Sequence, residues 1–505
     1  MVENDRTKKA VKNITYAFLN QFLNLILTFL ARTVFIRVLG AGYLGLNSIF
    51  TDVLGVLSLA DLGFNTAMVY SFYKPLADND TKKMAALTTF YKKVYRCIAL
   101  VTTVTGVALC PVLPYIINLE QEVPYLYLYY FMSVANVVVS YLCVYKTSVL
   151  TADQKNYSVV RISMILNVLK TILQIFVLIV FRAYLFYLIV GIGCSFLKNY
   201  IASQKAARIY PFINQEEKLE KGVEKEIFQN IGAVFLYKIS SVLLNATDNV
   251  LISLIVGTVA VGYYSNYLMI GNKLSQIYSL FFTSLIASLG NLVVREKADK
   301  RYAVFQCEQA VSYFISCIIF PCFILLANDF VRLWLGKEFV LESNTVCAIG
   351  LNLYLACIYH PLWSFREATG LYRKTKWVML LCGVLNLVLS CVMGLRFGMF
   401  GILIASCISR ILTYGWYEPR ILFRDYFDRE PHSFFADMFF NCLLVLFIVA
   451  VCGGITKAVV VDSWLKWVFK AGVIVLVGVA VAFAVYQKTE GFRFLWKKVE
   501  KLWKR

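Results

Sequence analysis

The chain has 505 residues, 60% hydrophobic and only 16% charged, with a mean hydropathy of +0.68 and a formal net charge of +20. Too little polar surface is available to cover a soluble globular body of this size, so that class is excluded. A transmembrane β-barrel is excluded as well, because its strands alternate in polarity over segments of about 10 residues.

Apolar runs of roughly 20–28 residues recur instead, each able to cross a hydrocarbon core of about 30 Å. They predict helices at 14–39, 44–72, 94–117, 126–150, 157–181, 183–202, 228–256, 263–294, 303–327, 343–369, 374–397, 399–424, 434–458 and 467–487. The expected fold class is all-α: a polytopic membrane protein with about 14 transmembrane helices. The polar start, MVENDRTKK, carries no small-residue cleavage site, and the first run is too long for a signal core, so it is expected to remain as a helix. With that end in the cytoplasm, about 35 of the 50 Lys and Arg fall in cytoplasmic segments and about 7 outside, a bias that puts both termini inside. The same bias accounts for the basic charge without a nucleic-acid partner.

The first run carries a polar series Asn20, Asn24, Thr28, Arg32, and the second carries Asn47, Thr51, Ser58, Asp61 and Asn65 within about 40° of one helix face. A polar stripe of this length cannot face lipid comfortably. It serves either helix–helix hydrogen bonds or a hydrated cavity, and for complete stripes the cavity is favoured. Asp61 lies near mid-membrane, roughly 16 Å from the inner end of its helix. Arg32 and Asp52 fall at similar depth on adjacent antiparallel helices and are expected to pair. The fifth run brings Lys170 to mid-depth.

A polar segment near 203–227 splits the first twelve runs into six and six. Across it, LGAGYLGLNS (39–48) matches VGTVAVGYYS (256–265) at an offset of 217, aligning Gly40 with Gly257 and Gly45 with Gly262. ILNVLK (165–170) resembles VLNLVL (384–389) at an offset of 219. A duplicated six-helix lobe is therefore expected, with both copies in the same topology and a cavity between them. The expected division is 1–202 and 228–424 as pseudo-symmetric lobes, 203–227 as a cytoplasmic linker, and 425–505 as two further helices with a basic amphipathic tail.

The seventh run repeats the polar series with Tyr237, Ser241, Asn245 and Asn249 and adds Lys238 at mid-depth. Asp248 and Lys273 on the seventh and eighth runs match in depth and are expected to pair. The eighth carries a shorter stripe, Tyr264, Asn272, Ser275 and Ser279, with Tyr278 where the second run has Asp61. His360-Pro361 should disturb the tenth helix. Arg410 adds a mid-depth cation in the twelfth. Lys146, Arg366 and Lys470 lie near helix ends and are expected to snorkel to the interface. The interior is thus cationic, which suits an anionic solute, phosphate above all. The tail FRFLWKKVEKLWKR is expected to lie on anionic lipid. The 14 cysteines and two histidines form no disulfide framework or metal-ligand pattern, and no phosphate loop appears. No cofactor, metal or catalytic residue is expected.

RVLGAGYLGLNSIF followed by LSLADLGFNTAMVYSFYKPLA resembles the first hairpin of polysaccharide repeat-unit (O-antigen and capsule, Wzx-type) flippases, members of the multidrug/oligosaccharidyl-lipid/polysaccharide exporter superfamily. LTADQKNYSVVRISMILNV and LRFGMFGILIASCISRIL are similar to their helix 4–5 connection and their helix 11–12 hairpin. The resemblance covers about residues 10–424. It implies two lobes that rock between inward- and outward-facing states. The implied substrate is a polyprenyl-diphosphate-linked oligosaccharide, moved to the outer leaflet of a bacterial inner membrane. It further implies Asp61 as a candidate for proton or ion coupling, and Arg32, Lys170, Lys238 and Arg410 as cations for the diphosphate, with Asn20, Asn24, Asn245 and Asn249 beside them. The expected partners are the lipid-linked oligosaccharide, membrane lipids and polysaccharide polymerase machinery, with the chain itself a monomer. A multidrug pump for organic cations is the rival on the same fold, though it should carry surplus carboxylates. A polysaccharide polymerase or glycosyltransferase would need a larger loop than 328–342.

Overall fold

The structure is a computed structural model that describes residues 2–58, 64–118, 123–219 and 247–493, with scattered positions between 222 and 244. Among the described residues all regular structure is helical. The chain divides into two compact units, Met1–Gly262 and Tyr263–Arg505.

The first unit holds α1 (Val2–Leu57), α2 (Phe64–Ala77), α3 (Thr81–Ala108), α4 (Leu126–Tyr141), α5 (Val144–Ala152), α6 (Tyr157–Phe181), α7 (Tyr184–Ile209) and α8 (Asp248–Ile255). α9 (Thr258–Arg295) starts there and runs into the second unit. That unit continues with α10 (Ala298–Trp334), α11 (Ser343–Ile358), α12 (His360–Thr369), α13 (Tyr372–Leu412), α14 (Tyr414–Leu422), α15 (His432–Thr456) and α16 (Trp464–Tyr486).

By length and composition, 8 helices are fit to cross a membrane among the described residues, or up to 10 if each bent pair is one span. Two of the eight, Thr15–Leu57 with 43 residues and Lys374–Phe427 with 54, are far longer than the ~20 residues one crossing needs. Each contains a glycine with positive φ, Gly40 (φ 84°) and Gly398 (φ 58°), a region open to glycine because it lacks Cβ. At the second bend the chain doubles back. Ser406 Oγ donates to Asn386 Oδ1 at 3.3 Å and Ser390 Oγ to Ile402 O at 3.3 Å, an antiparallel register. At the first, Phe35 and Tyr43 on either side of Gly40 pack on the same Tyr184 ring, at 5.8 and 5.5 Å. These doubled spans, the bent pairs and α9 are consistent with the 14 crossings expected.

Two spans are broken. α4 and α5 meet at 46°, and α11 and α12 meet at 43°. The second break falls at His360-Pro361, as the missing proline N–H requires. α3 begins at Thr81, well before the apolar run at 94, because the stretch TKKMAALTTFYKKVYR continues the helix on the polar side.

In the first unit α1 lies along α6, and α7 packs on both α6 and α4. Its core includes Met68, Phe72, Tyr91, Tyr95, Tyr141 and Tyr210. In the second unit α10 is the central post, flanked by α11, α15 and α16. Asn441 of α15 knits this bundle. Its Oδ1 accepts from Tyr354 Oη at 2.8 Å and Ser316 Oγ at 3.2 Å, and its Nδ2 donates to Tyr486 Oη at 2.8 Å. Large apolar side chains on α15 and α16, such as Phe439, Phe447, Leu465 and Leu476, remain exposed, as lipid-facing surface should.

Candidate functional site

The polar face of the second expected helix does enclose a cavity, and the cavity lies within the first unit. It measures about 370 Å³ and is lined by Asn47, Thr51, Gly55 and Ser58 of α1 and its end, Ser133 and Asn136 of α4, Lys170 and Gln174 of α6, and Tyr187 and Gly191 of α7. The i, i+4 spacing of Asn47 and Thr51, and of Lys170 and Gln174, puts each pair on one helix face. Gln174 Nε2 donates to Tyr187 O at 3.2 Å, and Tyr184 Oη donates to Asn47 Oδ1 at 3.0 Å, which fixes α7 against α6 and α1.

Among the described residues that line this chamber, Lys170 carries the charge and none is Asp or Glu. Lys170 is half-buried and, among the described residues, no hydrogen bond or ion pair holds its ammonium. Lys198, two helical turns beyond Gly191 on α7, is close enough to act on Lys170 electrostatically. Arg32 is coupled in the same way to Tyr187 on the cavity wall. An ammonium such as that of Lys170, set in a low-dielectric wall, attracts an anion far more strongly than it would in water.

Lys170, expected in a cavity between the lobes, lines a chamber within the first unit. Lys198 and Gln174 are additional. Lys198 sits near the end of its apolar run in GCSFLKNY and reads as an interfacial lysine. The signal that finds it is its seven-residue spacing from Gly191, which returns it to the same face.

Other expectations change. Asn20 and Asn24 do not line the cavity. Asn24 Nδ2 donates to Asn20 Oδ1 at 3.0 Å, and Asn167 Nδ2 of α6 donates to Asn24 Oδ1 at 3.2 Å, so this series is a hydrogen-bonded seam between helices. The Arg32–Asp52 pair is not formed. Asp52 Oδ2 instead accepts from Asn249 Nδ2 of α8 at 2.7 Å. Asn249 is therefore a partner of Asp52 and is not among the residues that line this chamber. Lys273 reaches Gln276 Oε1 on its own helix at 3.5 Å, and Asp248 stands in the first turn of α8. Arg410 belongs to the second unit, among Tyr278, Tyr359 and Tyr414. Asp61, Lys238 and Asn245 lie outside the described residues.

Of the three cations expected to snorkel, Arg366 does not. It is buried and pairs with Glu418 at 2.6 Å. Lys470 pairs with Asp329 at 2.8 Å, and Lys146 meets Asn214 Oδ1 at 2.9 Å. His360 is packed by aromatic rings, stacked on Phe282 at 4.5 Å. No group of three or more potential metal ligands converges among the described residues.

The fold has solved counterparts. A structure described as the lipid II flippase MurJ in an inward closed conformation aligns with a TM-score of 0.66 at 14% identity, covering 95% of this chain and 99% of that one. An inward-facing multidrug resistance MATE family transporter of the MOP superfamily aligns at 0.61 with 14% identity, over 79% of this chain and 94% of its own. A mutant form of the Vibrio cholerae MATE transporter VcmN aligns at 0.55 with 15% identity, over 82% of this chain and 95% of its own. These likenesses establish a MOP-type fold. No curated protein matches the sequence. The family model for polysaccharide biosynthesis proteins matches residues 10–287, more than half of the chain, and the chain belongs to that family.

Proposed function

We propose that this protein is a flippase that carries a polyprenyl-diphosphate-linked oligosaccharide from the cytoplasmic to the outer leaflet of a bacterial inner membrane. The observation that carries this reading is the polar chamber with Lys170 in its wall and Lys198 beside it. A diphosphate offers several charge-assisted hydrogen bonds to two ammonium groups. An organic cation would meet the ammonium of Lys170 in that wall, which weighs against a drug pump on this fold. The glycan is handled by the neutral donors and acceptors of Asn47, Asn136 and Gln174.

In this reading the two six-helix lobes, 1–202 and 228–424, alternate in access, and the linker 203–227 and the helices of 425–505 support them. Asp61 is retained as the coupling candidate and Arg410 as the cation of the second lobe. Membership in a polysaccharide biosynthesis family supports the substrate class. O-antigen, capsule and exopolysaccharide repeat units all meet the same chemical description.

The test is complementation of a strain lacking the protein. Lys170→Gln combined with Lys198→Gln should reduce surface polymer at least tenfold and leave lipid-linked oligosaccharide in the inner leaflet, whereas Lys170→Arg with Lys198→Arg should keep most export. Normal export from the Gln pair, at wild-type protein level, removes this proposal.

A further inference from the structure

Past α7 the chain forms a short turn, Pro211–Asn214, and then a strap over the polar end of α3. Ile213 is buried in the core between α3 and α5 and fixes the strap in place. Three contacts follow. Lys146 Nζ donates to Asn214 Oδ1 at 2.9 Å, Thr89 Oγ1 donates to Gln215 O at 3.4 Å, and Lys92 Nζ donates to Glu216 Oε1 at 2.8 Å. A small cavity of about 70 Å³ lies beneath, between Thr88, Lys92, Tyr145 and Lys146 and the strap.

Glu216 lies against Lys92, with Arg96 and Lys93 close enough to act on it. Lys92 holds its carboxyl below the usual carboxylate range, with Arg96 and Lys93 adding to the effect, so it is ionised at neutral pH. Yet its side chain is 74% exposed, and exposed ion pairs contribute little net stability. A ligand with more charge displaces such a group easily.

The surroundings say what that ligand is. Lys93 and Arg96 are exposed on α3, and the same helical face continues as Leu100, Val104 and Val107, which are 65%, 59% and 52% exposed. Cations at the polar end of a lipid-facing apolar stripe match a phosphate headgroup with its hydrocarbon chain alongside.

We propose that Lys92, Lys93, Arg96 and Lys146 form a second anion site, at the membrane surface, which takes the phosphate of a lipid, and that Glu216 of the strap is its resident stand-in. The site is separate from the chamber around Lys170 and does not depend on the transport reading. Two sources share this chemistry: a bulk anionic phospholipid and a polyprenyl diphosphate.

The experiment measures inorganic pyrophosphate binding by calorimetry to the full chain in nanodiscs at fixed ionic strength. The Lys170→Gln, Lys198→Gln background removes the chamber cations. In phosphatidylcholine discs, Glu216→Gln should bind pyrophosphate at least threefold more tightly than its parent. Lys92→Gln with Arg96→Gln should bind at least tenfold more weakly. These surface substitutions leave Ile213 seated, and an unchanged thermal melt verifies it. Equal affinity in all three proteins overturns the proposal, as does weaker binding by Glu216→Gln. Discs containing phosphatidylglycerol then separate the sources. Lower pyrophosphate affinity there assigns the site to bulk lipid, and unchanged affinity assigns it to diphosphate carriers.

Discussion

Arg366 of α12 and Glu418 of α14 meet at 2.6 Å with only 5% of each side chain exposed. Both ions have given up hydration, and their attraction offsets that loss only while both are present. Glu418→Leu alone leaves a buried guanidinium without its counter-ion and should cost about 3–5 kcal/mol, and Arg366→Leu should cost a similar amount. The double variant Arg366→Met, Glu418→Leu should recover most of it. Thermal melts of the purified protein must therefore rank the double variant above either single; additive losses would show that the pair is not coupled. At this scale the sequence is legible only where a residue is conspicuous on its own helix. Lys170 stands alone in an apolar run and is found. Arg366 and Glu418 each sit near a helix end and look interfacial, and nothing local says that they face one another. The same limit applies to Asp52, whose depth matches Arg32 but whose partner, Asn249, lies nearly 200 positions away.

Where α1 resumes after Gly40 it crosses the start of α9 through two reciprocal contacts. A Cβ on Gly45 would overlap the carbonyl of Thr258, and a Cβ on Gly262 would overlap the carbonyl of Ala41. Ala41 and Thr258, like Gly45 and Gly262, are 217 positions apart, so residues separated by the offset seen in the sequence meet each other here. The crossing is tied down by Thr258 N donating to Asn118 O at 2.9 Å and Ser253 Oγ donating to Ile116 O at 2.7 Å. Gly45→Ala and Gly262→Ala should each lower stability by roughly 1–3 kcal/mol through overpacking. Gly193→Ala in α7, with open space around it, should be neutral or slightly stabilising. A melting temperature unchanged in both contact variants contradicts this crossing. The apolar spans are readable, because apolar length is a local property, whereas the positive φ of Gly40 and Gly398 inside the long helices is not announced by hydropathy. The 46° bend between α4 and α5 is not readable either, since Tyr141-Leu142-Cys143 contains neither glycine nor proline. The polar start of α3 escapes a hydropathy reading because hydropathy marks the membrane slab and not the end of the helix.

For the molecule as a whole, the distribution of charge makes a claim about orientation. A net charge of +20 on a chain with 50 Lys and Arg is not spread evenly, and cytoplasmic retention of basic segments is what orients helices during insertion. The strap from Pro211 and the polar end of α3 lie at one end of the first unit, together with Lys92, Lys93, Arg96, Lys146 and Lys155. In the second unit α10 runs from the basic stretch at Lys297–Arg301 to the Trp334–Phe339 turn, so these two features must face opposite sides if α10 crosses once. Alkaline phosphatase fused after Glu338 should then be active and the same enzyme fused after Asp299 inactive, because it folds only outside the cytoplasm. Green fluorescent protein joined to Arg505 should fluoresce. Reversed activities at Glu338 and Asp299 would invert the whole assignment. The direction of transport proposed for the Lys170 chamber, which rests on the same charge bias, would fall with it.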